Sequence, residues 1–164
     1  MLDVLVTLTI TTVLMAALMP ALSKSRGAGD KVACMWNLRQ IGVGFALYAA
    51  DNHYRLPDPA SSQKPWETML RKYTTPQTYR CSADQELFEA VGSSYDWRDT
   101  TNPKATLAGR LMQDVRREGC VLAFEALPGW HQKAKINVVR VDTSTTTMEQ
   151  QEFFRELDAP IDPR

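Results

Sequence analysis

The chain has 164 residues, and its 19 basic and 19 acidic side chains give a formal net charge of zero with both histidines neutral. This length corresponds to about one domain. The balanced charge argues against a general nucleic-acid-binding protein, which would present a basic face. With 44% hydrophobic and 23% charged residues, the composition also excludes wholesale disorder.

Residues 4–23 carry no charge, whereas the rest of the chain is hydrophilic. As a helix this run would span about 30 Å, the thickness of the hydrocarbon layer of a bilayer. Three interpretations compete: a membrane anchor, a cleaved secretory signal and a buried core helix. No basic region precedes the run, and it exceeds the roughly 7–15 apolar residues typical of a secretory signal. It is also long for a core helix, so the pattern favours a membrane anchor.

Two residues interrupt the uniform character of this segment. Asp3 places a carboxylate at its N-terminal tip, where the positive end of the helix dipole favours an acid. Pro20 lacks a backbone N–H group and is predicted to kink or end the helix, the latter at the membrane surface.

An amphipathic pattern follows the apolar run. Apolar side chains recur at helical spacing and form one stripe, consisting of Cys34, Leu38, Ile41, Phe45 and Tyr48. The pattern predicts a helix from near residue 2 to near Asp51, bent or loosened around 20–30, where Gly27 and Gly29 weaken it. We expect the stripe to be the face on which a globular domain packs.

Residues 52–164 alternate short helical and strand patterns, which predicts an α+β domain with an antiparallel sheet. The predicted organisation is therefore an apolar half-helix at 1–23, an amphipathic half-helix at 24–51 and a globular domain at 52–164. The predicted strands are Ser94–Arg98, Cys120–Glu125, Ile136–Asp142 and Thr145–Met148. Short helices are predicted around Trp66–Tyr73, from the spacing of Leu107, Leu111 and Val115, and near Glu149–Leu157.

The segment from Leu2 to Pro57 resembles the bacterial type IV pilin-like proteins, and within them the pseudopilins of type II secretion systems. The family pattern is an apolar helix with an acid near its start and a proline seventeen residues later, as Asp3 and Pro20 are here. The acid is usually glutamate in that family. Further matching segments are Cys34, Asn37–Gly42, Tyr48–Asn52 and Leu56–Pro57.

The resemblance implies a pilin-like fold and a structural role without catalysis or cofactor. The subunit would be a single-pass inner-membrane protein with its globular domain in the periplasm. Its partners would be other pilin-like subunits, the inner-membrane assembly platform and membrane lipid, with no nucleic acid. Asp3 and Pro20 would serve filament assembly, Asp3 by pairing with the amino terminus of a neighbouring subunit. The alternatives are a minor pilin of a type IV pilus, a signal-anchored extracytoplasmic binding module that never polymerises, and a tethered hydrolase.

The resemblance also bears on the start of the chain. Family members carry a basic leader and a glycine before the processing site, and their mature N-terminus is methylated. By this resemblance, Met1 falls two residues inside the mature chain. We therefore expect the natural coding sequence to begin upstream. Without such a leader, the basic residues nearest to the apolar run are those that follow it, Lys24, Arg26, Lys31 and Arg39. By the positive-inside rule, these residues alone would place the C-terminal part of the chain in the cytoplasm.

Three cysteines are present, and no two are spaced as C-x-x-C, nor does either histidine pair with one at a metal-ligand spacing, so no zinc site is predicted. The family resemblance implies a possible disulfide between Cys34 and Cys81. Cys120 is the first residue of a predicted strand, and we interpret it as a small buried hydrophobic residue.

No motif for catalysis or calcium binding emerges. A nucleophile would have to be Cys81 or a serine with His53 or His131 as base, but neither a serine elbow nor a P-loop is present. Oxygen ligands cluster at Asp51, Asn52 and Asp58 without matching an EF-hand, which favours a solvated loop.

Overall fold

The computed structural model describes residues 2–115 and 119–161 and has the predicted α+β architecture. Its helices are α1 (Leu2–Asp51), α2 (Pro59–Ser62), α3 (Trp66–Leu70), α4 (Leu87–Val91) and α5 (Gln150–Asp158). Its strands are β1 (Tyr95–Trp97), β2 (Val121–Glu125), β3 (Lys135–Arg140) and β4 (Thr145–Glu149). Short 3₁₀ turns occur at Pro76–Tyr79 and Met112–Asp114.

The sheet is an antiparallel meander in the order β1-β2-β3-β4, so each strand pairs with its neighbours in the sequence. All four predicted strands and the final helix are confirmed, with ends that lie within two residues of the predicted ones. Continuous runs of apolar and β-branched residues specify β2 and β3, because successive side chains point to opposite faces of the sheet and both faces are covered.

The sheet separates two apolar clusters, one under α1 and one under α5. On β3, Ile136 and Val138 belong to the smaller cluster with Phe153 of α5, while Val139 faces α1. Every residue of β2 is buried, and the register shifts at its start, between Val121 and Ala123. Helix α1, the sheet and α5 therefore form three layers.

The second half of α1 provides the core of the larger cluster. Four members of the predicted stripe are completely buried, and Tyr48 is half-buried. The ring of Phe45 lies 5.6 Å from that of Trp66 and 5.0 Å from that of Trp97, measured between centroids. Close contact between α1 and β3 requires glycine at 42, because a Cβ atom there would lie 2.8 Å from Val139 Cγ2.

The helix predicted from Leu107, Leu111 and Val115 is wrong. The segment instead contains a turn at 108–109 and the 3₁₀ turn Met112–Asp114, and Leu111 between them forms an antiparallel bridge with Arg55. The backbone N–H of Met112 donates to the carbonyl of Tyr54 at 2.7 Å. Pairing with the chain that leaves α1 therefore satisfies backbone groups that a helix would have used internally.

Pro20 does not end the helix, and α1 is assigned as one uninterrupted helix of 50 residues. A proline removes one donor from the ladder at a cost of about 3 kcal/mol, which is confined to one turn. Gly27 and Gly29 weaken the helix by only about 1 kcal/mol each relative to alanine, and they do not interrupt it either.

Candidate functional site

The first half of α1 extends away from the globular domain. Its described side chains are exposed from residue 3 to residue 29, and the apolar window is not buried by any other part of the structure. The helix is long and apolar enough to cross a membrane once. Large apolar side chains surround it, at Val4, Leu5, Val6, Leu8, Ile10, Val13, Leu14, Met15, Leu18, Met19 and Leu22.

Threonine hydroxyls in this half-helix are satisfied by the helix backbone. Thr7 donates to the carbonyl of Val4 at 3.0 Å, and Thr11 donates to that of Thr7 at 2.9 Å. Thr12 donates to the carbonyl of Leu8. These bonds remove the need for water, so the threonines do not prevent burial in an apolar environment.

A second exposed apolar stripe continues along the other half of α1. It lies opposite the buried stripe and comprises Val32, Trp36, Val43 and Leu47. Their spacing of four, seven and four residues places them on one face of the helix. Exposed apolar surface thus extends well past the run of residues that could cross a membrane.

The two residues assigned to assembly both lie on the exposed half-helix. Asp3 is exposed in the first turn of α1. Pro20 is also exposed, and its carbonyl accepts a hydrogen bond from the Ser23 hydroxyl at 3.1 Å. Neither contacts the globular domain, so both remain available to a neighbouring helix.

The structure joins Cys34 to Cys81 in a disulfide, with their Cα atoms 5.4 Å apart. Cys34 lies on the buried face of α1, and Cys81 follows the first 3₁₀ turn. The side-chain amide of Asn37 donates to the carbonyl of Arg80 at 2.9 Å, which fixes the same segment to α1.

Hydrogen bonds that involve Ser94 and Asp84 also hold the backbone of Cys81 in place. The Ser94 hydroxyl accepts from the backbone N–H of Cys81 at 3.0 Å and donates to Asp84 at 2.6 Å. The Asp84 carboxylate also accepts backbone N–H groups at the start of α4, from Glu86, Leu87 and Phe88. Burial by itself raises the pKa of Asp84, but the Ser94 and backbone hydrogen bonds outweigh it and lower that pKa.

A buried carboxylate and imidazole lie beside the disulfide. His131 Nε2 is 3.2 Å from Cys81 Sγ and 3.2 Å from Glu125 Oε1. Glu125 Oε2 accepts the backbone N–H of Asn137 at 3.0 Å, and Oε1 accepts its side-chain amide at 2.9 Å. Sequence reasoning pairs Cys34 with Cys81 and considers His131 as a base for Cys81, but it misses Glu125, whose only local signal is its place as an acid at the end of the apolar run of β2.

The other residues considered from the sequence are placed apart from this cluster. Burial raises the pKa of Cys120, whose half-buried thiol accepts from the Arg98 guanidinium at 3.5 Å. His53 lines a different open pocket, together with Tyr48 and Asp58. Cys81 is near His131 but is bonded to Cys34 and so carries no thiol for nucleophilic attack.

The carboxylate oxygens of Asp51 and Asp58, at the end of α1 and in the loop after it, do not converge on a common site. Asp51 pairs with Lys72 at 2.6 Å and accepts from the Tyr73 hydroxyl at 2.8 Å, and the Lys72 hydrogen bond is the main cause of its lowered pKa. Asp58 instead accepts the backbone N–H of Ser61 at 3.1 Å and caps α2. Each carboxylate therefore has its own local partner.

No family model, curated protein or solved structure matches this chain.

Proposed function

We propose that this chain is a pseudopilin, a non-catalytic structural subunit of a type II secretion or related type IV filament. Its first half-helix anchors it in the inner membrane as a single span, with the globular domain in the periplasm. The same helix then assembles with other pilin-like subunits through an inner-membrane platform. The observation that supports this proposal best is the unusual extent of exposed apolar surface on α1.

Helix length separates a filament subunit from a simple anchor. At about 1.5 Å per residue, α1 is roughly 75 Å long, whereas about 20 residues suffice for the hydrocarbon layer. The stripe at Val32, Trp36, Val43 and Leu47 follows the segment 24–31, which carries four charged residues, and would therefore lie outside the lipid. A contiguous exposed apolar face is unfavourable in water and marks an interaction surface. The α1 helix of a second subunit, lying alongside, would cover it.

Asp3 fits a role in assembly better than a role in anchoring. A carboxylate within hydrocarbon is unfavourable by about 2.5–3.5 kcal/mol on insertion scales, and less near the interface. In a simple anchor only the helix dipole would offset part of that cost. In the family that the sequence resembles, the acid pairs with the amino terminus of a neighbour, and that pair would compensate the cost and select the register of the helices.

The test compares two valines that are equally exposed but differently placed. Val32 on α1 is 66% exposed and Val91 at the end of α4 is 65% exposed. We expect Val32→Glu to abolish incorporation into filaments, because it places a charge in the helix interface, and Val91→Glu to leave it intact. Both variants are produced as the full chain in a host that carries the assembly machinery, and sheared surface filaments and membranes are probed by immunoblotting.

The alternatives give different results in this experiment. A non-polymerising binding module would stay in the membrane fraction and yield no filaments even as wild type. A minor pilin would yield filaments only when a major subunit is produced with it. If the wild-type chain is soluble and monomeric without detergent, the anchor itself is wrong.

A further inference from the structure

Four side chains able to bind a metal converge under α1. One ligand atom from each of Cys34, Cys81, Glu125 and His131 lies within 4.8 Å of the other three. They come from four different places in the chain: α1, the segment after the first 3₁₀ turn, the end of β2 and the loop from β2 to β3. Two sulfurs, an imidazole nitrogen and a carboxylate oxygen form a donor set that suits zinc.

Two of the distances between these ligand atoms are close to those of a tetrahedral site. Zinc–sulfur bonds of about 2.3 Å and zinc–nitrogen or zinc–oxygen bonds of about 2.0–2.2 Å place tetrahedral ligand atoms roughly 3.2–3.8 Å apart. His131 Nε2 lies 3.2 Å from both Cys81 Sγ and Glu125 Oε1, at the short end of this range. The two sulfurs are held closer by their bond, so the site opens only when that bond is reduced.

The surroundings supply the outer support that a metal site needs. Glu125 is 1% exposed and His131 is 4% exposed at the side chain. A buried carboxylate is costly unless it is paired or bound to a metal. Asn137 orients the Glu125 carboxylate with its backbone N–H and its side-chain amide, as hydrogen bonds to ligating carboxylates do in metal centres.

An access route is also present. An open groove of about 530 Å³ lies between the start of the amphipathic half of α1 and the β2–β3 loop. His131 and Gln132 form one wall, and Gly27 and Ala28 belong to the other. Since His131 lines this open groove, the groove connects the cluster to solvent.

We propose that Cys34, Cys81, Glu125 and His131 form a zinc site that alternates with the disulfide. A dithiol reductant transfers two electrons and two protons to the Cys34–Cys81 bond and leaves as its own disulfide. The two thiols then release two protons to solvent as they bind zinc. His131 binds through Nε2 as the neutral tautomer with its proton on Nδ1. The metal replaces the covalent link between α1 and the globular domain.

The experiment uses the full chain in detergent micelles, either oxidised or reduced with a phosphine and freed of metal. Zinc binding is measured by competition with a chromogenic chelator, and cobalt serves as a spectroscopic probe. We expect one zinc per reduced chain, none per oxidised chain, and a thiolate-to-cobalt charge-transfer band with tetrahedral d–d bands. Zinc should raise the Tm of the reduced protein and leave that of the oxidised protein unchanged.

Variants separate this site from adventitious binding. His131→Ala and Glu125→Gln should lose the stoichiometric zinc and the cobalt spectrum, whereas Cys120→Ser, which removes the thiol outside the cluster, should keep both. If Glu125→Gln does not fold, His131→Ala at the edge of the groove carries the test. Equal binding by the oxidised protein, no stoichiometric binding by the reduced protein, or loss of binding in Cys120→Ser would each overturn the proposal.

Discussion

Two glycines of α1 illustrate how a single methyl group has opposite consequences in the two halves of one helix. A Cβ atom at Gly42 would lie 2.8 Å from Val139 Cγ2, whereas one at Gly27 would meet no heavy atom within 4 Å. We expect Gly42→Ala to lower the free energy of unfolding by about 1–3 kcal/mol through overpacking. Gly27→Ala should leave it unchanged or raise it by up to about 1 kcal/mol through helix propensity. Urea denaturation of both variants checks this, and equal losses would contradict it.

Phe45 provides a second comparison within α1. Its ring is completely buried between Trp66 and Trp97, so Phe45→Ala should lower the free energy of unfolding of the domain by about 3–5 kcal/mol. Leu5 is exposed on the other half of the helix, and Leu5→Ala should leave domain stability nearly unchanged. Thermal melts of the detergent-solubilised chain measure both. Similar shifts in Tm would show that the two halves do not divide these roles.

The start of helix α4 is capped by one acid that lies outside the helix, Asp84. Asp84 accepts three backbone N–H groups at the start of α4 and the Ser94 hydroxyl before β1. Asp84→Ala should lower the free energy of unfolding at pH 7 by about 1–2 kcal/mol, the usual cost of losing a helix cap. Glu89→Ala is the control, because that exposed acid makes only a surface ion pair with Arg80 at 3.6 Å.

The same acid predicts a dependence on pH. The pKa of Asp84 is lowered in the folded protein, so its ionised form stabilises the fold above the unfolded pKa of about 3.9. That stabilisation disappears as the pH falls through the lowered pKa. The difference in unfolding free energy between wild type and Asp84→Ala should therefore be full at pH 7 and shrink towards pH 2. A difference that stays constant with pH would show that the carboxylate charge contributes nothing.

The sequence predicted the elements with local patterning well and failed where a contact between distant segments decides the backbone conformation. The strands and α5 were predictable because their periodicity agrees with their packing, as Ile136, Val138 and Val139 show. Leu107, Leu111 and Val115 also have helical spacing, but the backbone there pairs with the segment after α1. A contact between distant segments overrode the local pattern, and no local pattern could reveal it.

For the whole molecule, long-range contacts also explain what the sequence concealed about the site. The resemblance pointed to Cys34 and Cys81, but Glu125 and His131 join them only because the sheet stacks on α1. No spacing rule connects residues that the meander brings together from separate elements. In contrast, the exposed apolar half of α1 was predictable, because a long uncharged run needs no tertiary partner to be recognised.

The first half of α1 needs a partner to cover its apolar surface, whereas the rest of the chain has a hydrophobic core of its own. None of the described side chains of residues 3–29 is buried, while the core begins at Cys34. Deleting residues 1–24 should therefore leave a soluble, folded monomer with the Tm of the full-length domain, since the buried stripe of α1 and the Cys34–Cys81 bond are retained. Sedimentation and thermal melts of the truncated chain, beside membrane fractionation of the full chain, provide the measurement. Unfolding of the truncated chain would mean that the first half-helix also stabilises the domain, whereas self-association of a folded truncated chain would point to the retained exposed stripe at Val32, Trp36, Val43 and Leu47.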